Sequence, residues 1–201
     1  MKNIFNVLIF FLFFSESGCQ LQKPEKENEK TVSIDSVFTD NPSGILLSKS
    51  YTNDKDGYSI NYPPNWNFYE YENAGGIDFF GHFKTPAEND DMSDFGIAIY
   101  NKNESKTLDE FYEDYIAEAK ASGLLSDISV KRNMAFIYQG KYNTLSFLFT
   151  SKSVGTFDTR IHMFIEKGDK IYHLRGLLSP KHPKESMQLY LEIMTTIKFS
   201  K

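Results

Sequence analysis

Two of the four histidines and two arginines fall at spacings that could build one site. Gly168-Asp169 lies between two alternating runs, DTRIHMFIEK and KIYHLRGLL, and reads as a two-residue hairpin turn. That turn sets His162 opposite Arg175 and Phe164 opposite His173. Strand side chains alternate, so Ile161, Met163, Ile165, Tyr172, Leu174 and Leu178 share an apolar face. Arg160, His162, Glu166, His173 and Arg175 share the other face. Two guanidinium and two imidazole groups on adjacent strands could receive an anion or an acidic partner loop. The same charges could instead pair with Glu166 and its neighbours on a solvated sheet face.

Other groups carry less chemistry. Asn53-Asp54-Lys55-Asp56-Gly57 has the composition of a calcium loop, but setting Gly57 at its sixth position puts Pro63 where a bidentate Glu is required. A polar turn before a strand is the expectation there. Asp90, Asp91 and Asp94 form an acidic stretch, expected as a solvated loop, with a weak calcium contact as the alternative. Tyr69 and Tyr71, beside Gly75-Gly76, could line a ligand groove or pack half-buried on a strand. No GxSxG, HExxH, GxGxxG or Walker pattern is present, and His82, His162, His173 and His182 lack close metal-ligand spacing. No catalytic residue, metal site or cofactor is expected.

The elements that must position these residues follow from periodicity. From Ile45 onward the period is mostly two, with strand-like runs ILLSKSY, GYSINYP, NFYEY, IDFFGHFK, FGIAIYNK, DISVKRNMAFI and YNTLSFLFTSK preceding the hairpin already described. Two segments switch to helical spacing. Leu108, Phe111, Tyr112, Tyr115, Ile116 and Ala119 form one stripe, with Thr107 and Glu110 as a capping box and Gly123 as the stop. The second starts at Pro183 and aligns Met187, Tyr190, Ile193, Met194 and Ile197. Each helix has one apolar face to lay on a sheet. The expected class is α+β, a central antiparallel sheet flanked by helices.

The chain has 201 residues, with 22 Lys+Arg against 27 Asp+Glu and a formal net charge of −5. That length suits one domain plus some extra chain, and the acidity excludes nucleic-acid binding by a broad basic surface. The single cysteine, Cys19, excludes an intramolecular disulfide framework and Cys-rich metal sites. Residues 1–18 combine Lys2, an apolar run from Ile4 to Phe14 and the small pair Ser17-Gly18. With Cys19 next, the order resembles a bacterial lipoprotein signal peptide and lipobox, although Glu16 stands where an apolar residue is usual. The resemblance implies export to a bacterial cell envelope, cleavage before Cys19, and lipidation of Cys19 with palmitate-type acyl chains that anchor the protein in a membrane. Residues 19–44, rich in Lys, Glu, Asn, Ser and Pro, are expected to be a flexible tether, and residues 45–201 the folded domain.

The run Asp56-Gly57-Tyr58-Ser59-Ile60-Asn61-Tyr62-Pro63-Pro64-Asn65-Trp66 resembles the opening signature of PsbP-like proteins. Thr196-Ile197-Lys198-Phe199, after the last helix, resembles the family's end, so the likeness spans about Ser50 to Lys201. It implies an α/β/α sandwich of the PsbP/Mog1-like kind and a binding or assembly module in place of an enzyme. It brings no metal or partner residues, because the motif is structural. The combined expectation is a non-enzymatic, membrane-tethered envelope lipoprotein that binds or stabilises a protein partner. A small-ligand or anion binder is the alternative, and a hydrolase of unrecognised type the third reading.

Overall fold

Alternating sequence becomes strand in each of the predicted runs. The computed structural model describes residues 43–71, 76–82, 92–102, 106–153 and 156–200. Cys19, the signal segment, residues 19–42 of the expected tether, Gly75, Asp90 and Asp91 lie outside the described residues, as does the side chain of His82. In order, the elements are β1 (Lys49–Asn53), β2 (Tyr58–Tyr62), β3 (Asn67–Tyr71), β4 (Gly76–His82), β5 (Met92–Asn101) and α1 (Leu108–Ala121). They continue with β6 (Ser126–Tyr138), β7 (Tyr142–Ser153), β8 (Thr156–Lys167), β9 (Lys170–Leu177), α2 (Pro183–Thr195) and β10 (Lys198–Phe199).

Seven strands form one antiparallel sheet in the order β3-β4-β5-β9-β8-β7-β6, and β1, β2 and β10 form a second, three-stranded sheet. Gly168 takes φ 60° at the first turn position, where an L side chain would be strained. The β8–β9 register pairs His162 with Arg175 and Phe164 with His173, as that turn dictates. Past the hairpin, β9 inserts beside β5, so the middle of the sheet is closed by strands distant in sequence.

The helices take opposite faces. The Thr107 hydroxyl accepts a hydrogen bond from the Glu110 backbone N–H, and the Glu110 carboxylate accepts one from the Thr107 N–H, completing the capping box. Leu108, Tyr112 and Ile116 of α1 then pack on Leu145, Phe147, Phe149, Phe164 and Ile171. On the other face Leu189, Tyr190, Ile193 and Met194 of α2 join Phe95, Ile97, Ile161, Met163, Ile165 and Leu174. Leu189 was not on the predicted stripe.

The molecule is richer in sheet than an α/β/α sandwich. Alternating Tyr58, Ile60 and Tyr62 give β2 one apolar face that must itself be buried. It shares the α2 layer: Tyr58 meets Tyr172 at 5.8 Å and Tyr62 meets Phe79 at 4.8 Å between ring centroids. Pro63 and Pro64 end the strand, and Trp66 folds back into this core, its ring 6.3 Å from Tyr190. Asn53-Asp54-Lys55-Asp56-Gly57 forms the β1–β2 turn, with the Asp56 N–H donating to Asn53 Oδ1 and the Gly57 N–H to Asn53 O.

Candidate functional site

One cross-strand row carries most of the polar chemistry on the α1 face. Reading across the sheet, Tyr69, Asp78, Gly96, Arg175, His162, Phe147 and Arg132 are successive partners on seven strands. Strand pairing alone therefore brings Arg160, His162, His173 and Arg175 together, and the fold gives them two different environments.

The histidines are core residues. Their rings stack with centroids 4.9 Å apart, and His162 Nδ1 lies 2.7 Å from His173 Nε2. Phe147 stacks on His162 at 4.8 Å, and Tyr115 of α1 closes over both rings, 5.1 Å from His173 and 5.9 Å from His162. Burial, reinforced for His162 by Arg160 and Arg175 and for His173 by His162 and Arg175, holds both imidazoles well below the ordinary histidine pKa. They are neutral at pH 7. Their outer nitrogens, His162 Nε2 and His173 Nδ1, are buried without a hydrogen-bond partner.

The arginines are half-buried and each holds a carboxylate. Arg160 Nη1 is 2.9 Å from Asp94 Oδ2, and Arg175 Nη2 is 3.4 Å from Asp78 Oδ1. Glu166, expected among their partners, pairs with Lys102 and accepts from Asn143 Nδ2. Asp78 also accepts the Tyr71 hydroxyl at 2.6 Å, joining the sheet edge to the guanidinium. Asp78 was missed in the sequence because β4 reaches β9 only through β5.

Beyond the arginines the same face is open. Tyr69 is 61 % exposed, Tyr71 43 % and Phe80 39 %. Tyr and Arg are the residue types that concentrate binding energy at protein interfaces. The two sheet edges also differ. β6 is thirteen residues long, breaks register between Ser126 and Ser129 and again between Arg132 and Met134, and exposes Lys131 and Arg132. Such irregularities and charges protect an edge from pairing. β3 holds an unbroken register with β4, is exposed at all five positions and contains no Lys, Arg or Pro. Among the described residues no strand pairs with its outer side.

A pocket of about 260 Å³ adjoins this edge, lined by residues of the β1–β2 turn and by Glu70, Tyr71 and Gly76. Asp56 there is nine-tenths buried; Oδ1 receives Lys170 Nζ at 2.9 Å, and Oδ2 has no hydrogen-bond partner. Burial and a hydrogen bond with Glu70 push the Tyr51 hydroxyl up to about 12.

No family model and no curated protein matches this chain. Among solved structures it is similar to cyanobacterial PsbP from Synechocystis, with 14 % identity, 75 % of this chain and 91 % of that one covered, and a TM-score of 0.56. The fold is PsbP-like. The resemblance carried by Asp56–Trp66 is thereby borne out at the level of architecture. A Pseudomonas aeruginosa protein of unknown function has a similar fold, at 12 % identity, with 74 % and 94 % of the two chains covered and a TM-score of 0.54. Within this PsbP-like fold, the open part of the α1 face and the β3 edge are surfaces exposed among the described residues.

Proposed function

We propose that this PsbP-like domain is a non-catalytic accessory module that takes up an extended segment of a protein partner along β3. The carrying observation is the asymmetry between edges: β6 bears bulges and exposed cations, while β3 is regular, exposed and aromatic. An added strand would gain main-chain hydrogen bonds at β3 and side-chain contacts at Tyr69, Tyr71 and Phe80. The module is tethered in a bacterial envelope through lipid on Cys19, a reading supported by the sequence of residues 1–19. The described chain begins at Ser43, whose N–H and hydroxyl bind the Glu192 carboxylate of α2.

The test is photo-crosslinking in living cells with a benzoylphenylalanine placed at Tyr69 or, as control, at Glu113 on the exposed side of α1. A discrete adduct from Tyr69 and none from Glu113 is expected; equal labelling from both would overturn the edge reading. The anchor is tested separately by labelled palmitate, whose incorporation should vanish in Cys19→Ser.

A second reading, an anion site at Arg160, His162, His173 and Arg175, draws on one observation: Arg175 Nε is buried without a partner. Sulfate should then raise the melting temperature of the protein, and the rise should disappear in the double variant Arg160→Ala, Arg175→Ala.

A further inference from the structure

We infer that the segment added to β3 is basic, and that one of its ammonium or guanidinium groups fills the pocket between the β1–β2 turn and β3. This rests on the edge reading above and adds the chemistry of the partner. Side chains of β3 alternate: Phe68 points to the small sheet, its ring 5.3 Å from Tyr51, and Glu70 points the same way to the Tyr51 hydroxyl. Tyr69 and Tyr71 project to the opposite face, 5.2 Å apart. A strand laid on β3 would alternate in step, placing every second side chain beside Glu70 and the others beside the tyrosines.

The Glu70 side is acidic. Asp54, Asp56 and Glu70 line the pocket with one lining cation, Lys55, and Lys170 pairs with Asp56 Oδ1. Asp56 supplies an observation independent of that charge count. Its side chain is nine-tenths buried, yet Oδ2 has no hydrogen-bond donor. A buried carboxylate oxygen left without a partner is costly, and a donor brought to Asp56, which lines the pocket, would relieve that cost. Among the described residues no three His, Cys, Asp or Glu side chains converge to hold a metal ion. A cation carried on a side chain fits better.

The experiment uses the full chain in detergent and three fluorescent peptides of alternating residues, Val with Arg, Val with Gln and Val with Glu, read by anisotropy. The Arg peptide should bind about tenfold or more tighter than the Gln peptide, a difference of roughly 1.4 kcal/mol or more, and the gap should shrink at high salt. The double variant Asp54→Asn, Glu70→Gln should bring the two peptides to within about twofold, since it removes the exposed charges and leaves the edge intact. Tyr69→Lys should weaken all three. If the Gln peptide binds as tightly as the Arg peptide and both are lost in Tyr69→Lys, the edge reading stands and the basic partner is overturned. Peptide binding indifferent to Tyr69→Lys, or no binding, overturns both. Concentration-dependent dimers abolished by Tyr69→Lys, with no peptide preference, would make a second copy of the chain the occupant and overturn the inference.

Discussion

Arg175 meets Asp78 across a strand to which neither belongs. The guanidinium comes from β9 and the carboxylate from β4, and the residue between them on β5 is Gly96. A Cβ at Gly96 would come within 2.2 Å of Asp78 Oδ1 and 2.9 Å of Arg175 Nε. The missing side chain lets an ion pair span three strands, and through Tyr71 that pair reaches the edge.

Gly96→Ala should therefore act through the pair. Overpacking of this kind costs about 1–3 kcal/mol, more than the roughly 0–1 kcal/mol of a partly exposed ion pair alone. In a double-mutant cycle with Arg175→Ala, denaturant unfolding should show a coupling of about 0.5 kcal/mol or more. Additive effects would sink this account.

The buried histidines predict a pH dependence of stability. Their folded pKa values are depressed while unfolded histidine titrates near its ordinary value of about 6.5, so below that pH the unfolded chain binds more protons. Stability should be unaffected by the pair above about pH 7 and fall as pH drops through 6.5, by up to about 1.4 kcal/mol per pH unit for each histidine. Arg160 and Arg175 at the rim supply no negative charge to offset a proton, and Tyr115 above is neutral, burial pushing its hydroxyl up to about 12. Urea midpoints at pH 7.5 and 5.5, compared between the native chain and His173→Leu, measure this. Identical slopes in the two would refute it.

Trp66 is the single tryptophan and is 1 % exposed. Its emission should be blue-shifted in the folded protein and move red on unfolding. Trp66→Ala should cost about 3–5 kcal/mol. A loss below about 1 kcal/mol would mean that the Pro-Pro-Asn-Trp turn does not anchor the core.

Tyr69→Lys places a charge on the open edge and touches no core residue. Thermal stability should change by less than about 0.5 kcal/mol, while the concentration at which the protein aggregates should rise. A large drop in melting temperature would show that the Tyr69 side chain itself helps to hold β3 in place.

Local features were legible from sequence and sheet closure was not. Thr107, Glu110 and Gly123 announced α1 because capping chemistry acts within a few residues. The Gly168-Asp169 turn fixed the partners of His162 and His173 for the same reason. Which helix would cover that face is decided by contacts far apart in the chain, so an exposed cationic face and a buried imidazole stack were equally compatible with the pattern. Asp78 and Asp94 reach their arginines only because β5 pairs with β9, and no periodicity records that pairing. The same holds for β3: its run NFYEY shows a strand, but whether a neighbour lies beyond it depends on the order of all seven.

The unequal edges also set a valency. A sheet extendable at both ends can pass an added strand's free side onward, molecule after molecule, and grow into a fibre. Here growth can start at β3 but has no second docking point at β6, where bulges and Lys131 and Arg132 stop it. On the proposed reading, one addition at β3 would end the series along this seven-stranded sheet, and the domain would act there as a monovalent cap.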